Sequence, residues 1–167
     1  RGCPAIVGGL VYIGAADDGM YCLNETTGQK VWNYTTGGDI RGSPAVAGGL
    51  VFVGSNDNKV YALNATTGEK VWNYTTAGDV RSSPAVAYGL VFVGSMDRNV
   101  YALNMTTGEQ VWNYTTGDII EYASPAVADG LVFVGSNDDT FYALNMTTGQ
   151  KVWSYTTGDD IRGSPAV

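Results

Sequence analysis

Ala62-Leu63-Asn64-Ala65-Thr66-Thr67-Gly68-Glu69-Lys70-Val71-Trp72 decides the fold of this chain, because it returns three more times. The copies end at Trp32, Trp112 and Trp153, which spaces the tryptophans 40, 40 and 41 residues apart. A period of that length, with several short β segments per unit, is the sequence mark of a propeller or a related array.

Outward from that stretch, repeat two reads as four strands. Ser43-Pro44-Ala45-Val46-Ala47 is a short first strand, with proline at its start, where a missing N–H is tolerated. Gly48-Gly49 supplies the positive φ of a tight turn. Leu50-Val51-Phe52-Val53 is the second strand, Asn56 to Lys59 a polar turn, and Val60 to Leu63 the third strand. Asn64 to Gly68 turns again, and Lys70 to Thr75 is the fourth strand. No segment carries a helical period, so the chain is all-β. The second strand is apolar at every position and must be covered on both faces. Each small sheet of a propeller is sandwiched between its neighbours, whereas a two-sheet sandwich wets alternate positions. The fold predicted is therefore a β-propeller of four-stranded antiparallel blades in a single domain, residues 1–167. Its blades cover about 1–40, 41–80, 81–122 and 123–161, and 162–167 repeats the first strand of a further blade or closes the ring.

The composition excludes several functions. The 167 residues hold 23 glycines and 11 tyrosines but no histidine, the commonest metal ligand and general base near neutral pH. A net charge of −7 argues against nucleic acid, which calls for clustered Lys and Arg. No apolar run approaches the roughly 20 residues of a membrane-spanning helix. The first residue is Arg1 rather than methionine, so the chain is expected to be a processed or excised piece.

The repeated Ala-x-Asn-x-x-Thr-Gly-x-x-x-Trp resembles the tryptophan-docking motif of the PQQ-like, quinoprotein or BamB-type β-propellers, which carry Asp where this chain has Asn24, Asn64, Asn104 and Asn145. Cys22 stands in the alanine position of repeat one. The resemblance implies that Trp32, Trp72, Trp112 and Trp153 pack between adjacent blades, near Gly28, Gly68, Gly108 and Gly149 of the motif turns. The family includes quinoprotein dehydrogenases, the outer-membrane-assembly lipoprotein BamB and cell-surface repeat proteins. The wording of these repeats is most similar to surface proteins of methanogenic archaea.

Fold does not carry function, so each candidate site is weighed on its residues. The family's dehydrogenases use about twice as many blades, a calcium site of Glu, Asn and Asp, a catalytic Asp, a tryptophan floor and a ring of adjacent cysteines. Every tryptophan here belongs to the repeated motif, and Cys3 and Cys22 are not adjacent. PQQ and calcium are therefore not favoured, and no catalytic, cofactor-binding or metal residue is assigned. First and third strands lie roughly 9–10 Å apart, too far for a disulfide unless the terminal strand is displaced. Cys3 and Cys22 are expected to be two small buried residues.

Seven Asn-x-Thr sequons suit a glycosylated surface protein. Those at Asn24, Asn64, Asn104 and Asn145 double as turn chemistry. Asn33, Asn73 and Asn113 lie on fourth strands and are the candidate acceptors. The loops joining fourth to first and second to third strands share one face. They bring Asp39, Arg41, Asp79, Arg81, Asp159, Asp160 and Arg162 together, with Asp17, Asp57, Asp97 and Asp138 further out. These carboxylates can hold calcium or a polyhydroxy ligand, but mutual Asp–Arg pairing is favoured. Repeat three departs with Ile119-Ile120-Glu121-Tyr122 and one inserted residue, making Glu121 and Tyr122 the specialised pair beside Arg41, Arg81 and Arg162.

The chain reads best as a non-catalytic scaffold or binding module, extracellular or in the cell envelope, with a protein or glycan partner on the propeller face. A piece of a quinoprotein dehydrogenase and a lectin-like sugar binder are the alternatives. Closure allows three arrangements: four blades closing on themselves, a homodimer completing a larger ring, or a section of a longer array.

Overall fold

The computed structural model describes residues 2–166; Arg1 and Val167, the outer limits of the first and last units, lie outside the described residues. Sixteen strands form four antiparallel sheets, each a simple meander, and the described residues contain no helix. The first blade holds β1 (Ala5–Val7), β2 (Leu10–Gly14), β3 (Gly19–Asn24) and β4 (Lys30–Thr35). The second holds β5 (Ala45–Ala47), β6 (Leu50–Ser55), β7 (Lys59–Asn64) and β8 (Lys70–Thr75). The third holds β9 (Ala85–Ala87), β10 (Leu90–Gly94), β11 (Asn99–Asn104) and β12 (Gln110–Thr115). The fourth holds β13 (Ala126–Ala128), β14 (Leu131–Gly135), β15 (Thr140–Asn145) and β16 (Lys151–Thr156). The chain is a β-propeller of four such blades.

Local chemistry sets each blade. Gly48 and Gly49 both take positive φ, 57° and 76°, the geometry of a two-residue hairpin that matches strand twist. In the third turn, Asn64 Oδ1 accepts the N–H groups of Thr66 and Thr67 at 2.8 and 3.0 Å, and Gly68 at φ 74° turns the chain back. The ladder then slips: Leu63 faces Lys70 but Ala62 faces Trp72, leaving Val71 as the extra residue of a β-bulge. The bulge leaves Val71 half exposed while Trp72 turns inward with 8% exposure.

The core lies between blades. Phe52, Val60, Ala62, Trp72 and Val80 of the second blade meet Val91, Val93, Tyr101 and Leu103 of the third. Every strand-two position from Val51 to Val53 is fully buried, because the sheet is covered on both sides.

Four blades do not close on themselves. At one end Gly28 has nothing within 4 Å of a Cβ built on it, and at the other Trp153 is 43% exposed. Gly163–Ala166 lies where a further blade's first strand begins, and with no second strand beside it makes no ladder.

Candidate functional site on the propeller axis

The first strand of each blade faces the axis, and a ladder of serines ties these strands together. The N–H of Cys3 donates to Ser43 Oγ at 2.8 Å, that of Ser43 to Ser83 Oγ at 2.8 Å, and that of Ser83 to Ser124 Oγ at 2.8 Å. Ser124 donates in turn to Ser164 Oγ at 3.0 Å. Glycine lets the neighbouring backbones approach, since a Cβ at Gly42 would lie 2.7 Å from the Ser82 carbonyl oxygen. In repeat three that position is Ser82, whose buried hydroxyl binds both the N–H and the carbonyl of Gly94 at 2.9 and 2.8 Å.

Around this ladder opens a cavity of about 420 Å³, walled by Ser43, Ser83 and Ser124 with Arg41, Arg81 and Tyr122, and reaching Arg162. Arg41 pairs with Asp39 at 2.7 Å, Arg81 with Asp79 at 2.8 Å and Arg162 with Asp160 at 2.8 Å. Glu121 lies between two of them, 3.3 Å from Arg81 and 3.5 Å from Arg162. The structure thus brings Arg41, Arg81, Tyr122 and Arg162 around one cavity, with Glu121 bridging Arg81 and Arg162 beside it. Burial works against the charge on Arg81, but Asp79 outweighs it and holds the guanidinium protonated. Asp139, Asp159 and Asp160 converge within 4.8 Å of one another, with Asp160 already engaged by Arg162.

The outer carboxylates latch blades together. Asp57 Oδ2 accepts the Tyr61 hydroxyl at 2.5 Å and the N–H of Gly37, in the preceding blade, at 2.9 Å. Asp97 does the same with Tyr101 and Ala77, and Asp138 with Tyr142 and Gly117. Burial pushes the Asp57 carboxyl up, but the Tyr61 hydroxyl, the Gly37 N–H and the Ser55 hydroxyl hold it below the usual carboxylate range. Burial and the paired carboxylate raise Tyr61 and Tyr101, and push Tyr142 up to about 12. Neither this latch nor the serine ladder follows from the turn motif. The constant Asp-x-x-x-Tyr spacing in all four repeats was the available signal.

Three of the repeated tryptophans span blade junctions. Nε1 of Trp32 donates to the Ala65 carbonyl, that of Trp72 to Met105 and that of Trp112 to Met146, at 3.0, 3.0 and 2.9 Å. Their indoles rest on Gly68, Gly108 and Gly149. Trp153 and Gly28 depart from this arrangement. With no blade following, Trp153 stays against Phe133 and Phe141 of its own sheet, ring centroids 5.9 and 6.1 Å away. Asn33, Asn73 and Asn113 are exposed on the outer strands. Both cysteines are free, but only Cys22 is buried; Cys3 is exposed, because no blade precedes its strand.

The cavity wall contains no tryptophan, since three indoles are committed to blade junctions and the fourth to the outer sheet. Glu121, outside the lining, is paired with Arg81 and Arg162. The hydroxyls of Ser43, Ser83, Ser124 and Ser164 each accept a backbone N–H from the neighbouring strand.

Among solved structures, BamB from Moraxella catarrhalis is similar to the chain at 23% identity and a TM-score of 0.85, over 98% of this chain and 54% of that one. The computationally designed Ika8 protein matches at 18% identity and a TM-score of 0.86, over 96% of this chain and 50% of that one. The quinohemoprotein alcohol dehydrogenase of Comamonas testosteroni matches at 20% identity and 0.83, over 96% and 35%. The chain therefore spans about half the length of the first two and a third of the last. No curated protein sequence matches it. The family model described as outer membrane protein assembly factor BamB matches residues 1–83 and again 75–166, so the chain belongs to this PQQ-like propeller family.

Proposed function

We propose that the chain is a non-catalytic scaffold of the cell envelope that binds a protein partner on its axial face, its four blades forming part of a larger ring. The observation that carries this reading is the cavity wall of Arg81, Tyr122 and Arg162 around a paired Glu121. Arginine and tyrosine supply planar hydrogen-bonding and stacking surface, the composition enriched at protein interfaces. The family match to an assembly factor supports a protein partner and an envelope location. A photo-crosslinking group at position 122 should trap one protein in envelope preparations, while one at Thr66, in a turn on the opposite face, should trap none. Equal trapping at both positions would sink the proposal.

The likeness to quinohemoprotein dehydrogenases favours the enzyme as the second reading. Titration with PQQ and calcium tests it: saturable binding with alcohol oxidation would replace the scaffold reading. A sugar ligand would instead show as a hit on a glycan array that Tyr122→Ala removes. We also propose Asn33, Asn73 and Asn113 as glycan acceptors on the rim. Sugar-sized mass steps, lost in the triple Asn→Gln variant, are the expected result in an N-glycosylating host.

A further inference from the structure

We propose that the axial cavity is a seat for one carboxylate of an acidic peptide segment, held between Arg41 and Arg81 over the hydroxyls of Ser43 and Ser83. The proposal rests on the reading above, in which a protein partner docks on this face, and it names the group that the partner inserts.

Every charged side chain in the lining is an arginine, although the chain as a whole carries −7. Asp39, Asp79 and Glu121 stand outside the lining, each bonded to a guanidinium that belongs to it. They orient the arginines without lining the cavity themselves. The serines add further donors. The Oγ atoms of Ser43, Ser83 and Ser124 each accept a backbone N–H, and none of the three hydroxyls donates to an acceptor among the described residues. A serine hydroxyl carries one proton and rotates to suit its acceptor, so three successive blades each keep an O–H for a group on the axis. A wall of guanidinium and hydroxyl donors calls for a ligand that only accepts, which a carboxylate does.

Glu121 shows how such a group sits. It takes the place of Arg81 one repeat later, and bridges Arg81 and Arg162 at 3.3 and 3.5 Å. Arg81 is thereby fully engaged, with Nη1 on Glu121, Nη2 on Asp79 and Nε on Asn56. Arg41 spends only Nη2, on Asp39. Ala16 stands where the second blade has Asn56, so Nε of Arg41 is buried with no partner, a costly state for a donor. No acid bridges Arg41 to Arg81 as Glu121 bridges the next pair. A carboxylate from outside gives Arg41 the second acid that Arg81 already has.

Size and charge narrow the ligand further. About 420 Å³ falls within the range of small-ligand pockets, roughly 300–1,000 Å³, and admits a side chain along with its carboxylate. Each lining arginine is already paired with one aspartate, so the wall has no surplus charge for a polyanion and suits a single carboxylate.

Fluorescence anisotropy of a labelled peptide of alternating aspartate and glycine, titrated with the full-length protein, tests this. Saturable binding is expected, and none for the peptide with asparagine in place of aspartate. Arg41→Gln should weaken binding roughly tenfold, the loss of one bond to a charged group. Arg41→Lys keeps the charge but not the planar fork, and should recover only part of that affinity. Ser83→Ala should weaken binding less than Arg41→Gln. Tyr88→Ala, on an exposed hairpin outside the lining, should leave it unchanged. An unaltered thermal midpoint in the Arg41 variants separates lost binding from lost folding. Equal binding of both peptides, full affinity in Arg41→Gln, or succinate competing as well as the aspartyl peptide would each overturn the inference. The crosslinker at position 122 separates it from the reading it rests on. Trapping undiminished in Arg41→Gln sinks the carboxylate seat alone, and aspartyl-peptide binding with no trapped protein sinks the partner reading alone.

Discussion

A Cβ placed on Gly108 would lie 2.6 Å from Cδ2 of Trp72 in the preceding blade, so the glycine is the seat on which the indole rests. Gly108→Ala meets two penalties. Its φ of 74° costs an alanine about 1–2 kcal/mol, and the overpacked indole roughly 1–3 more. Urea unfolding should show a lower midpoint at unchanged slope, and a loss under about 1 kcal/mol would refute the seat.

Ser82→Ala should cost about 1–3 kcal/mol, because it strips partners from the Gly94 N–H and carbonyl in a fully buried site. Ser83→Ala removes a bond in a half-buried position, so its loss in thermal unfolding should be smaller.

The Asp–Tyr latches make stability fall at both ends of the pH scale. Asp57 is held low, so its contribution is complete above its unfolded value near 3.9 and is lost as pH falls further. Tyr61, Tyr101 and Tyr142 are raised, so their contribution is complete below about pH 10 and is lost above it, reaching about 12 for Tyr142. The denaturation midpoint should be flat between pH 5 and 9, and Tyr61→Phe should shallow the alkaline limb. An unchanged limb in the triple Phe variant would disprove the assignment.

Without reductant the folded protein should titrate one thiol, Cys3, and the unfolded protein two. Cys22 is fully buried, and burial pushes its thiol up, so it should resist alkylation until the first blade opens. A count of zero on unfolding would mean a disulfide.

The architecture was legible because the signals that encode it are local and repeated. The Asn64–Gly68 turn, the Gly48-Gly49 hairpin and the apolar second strand are each decided within a few residues. Mutual pairing of Asp39 with Arg41 and of Asp79 with Arg81 was equally legible, since the partners are two residues apart. What lay hidden were contacts whose partners stand about 20, 40 or more residues away. Ser43 reaches Ser83 and Gly37 reaches Asp57 only after the blades pack. The role of Trp153 was misread for a related reason: an indole on the last unit depends on a blade that follows it. Cys3 was misjudged in the same way at the opposite end.

The seat of Trp72 on Gly108 carries a consequence for how such chains change in length. Every unit brings its own indole and its own glycine, so a whole unit of 40 residues can be gained or lost without altering how the remaining indoles are seated. Growth by duplication therefore leaves no indole without a seat inside the array. Only the curvature between neighbours limits how many units a ring will accept.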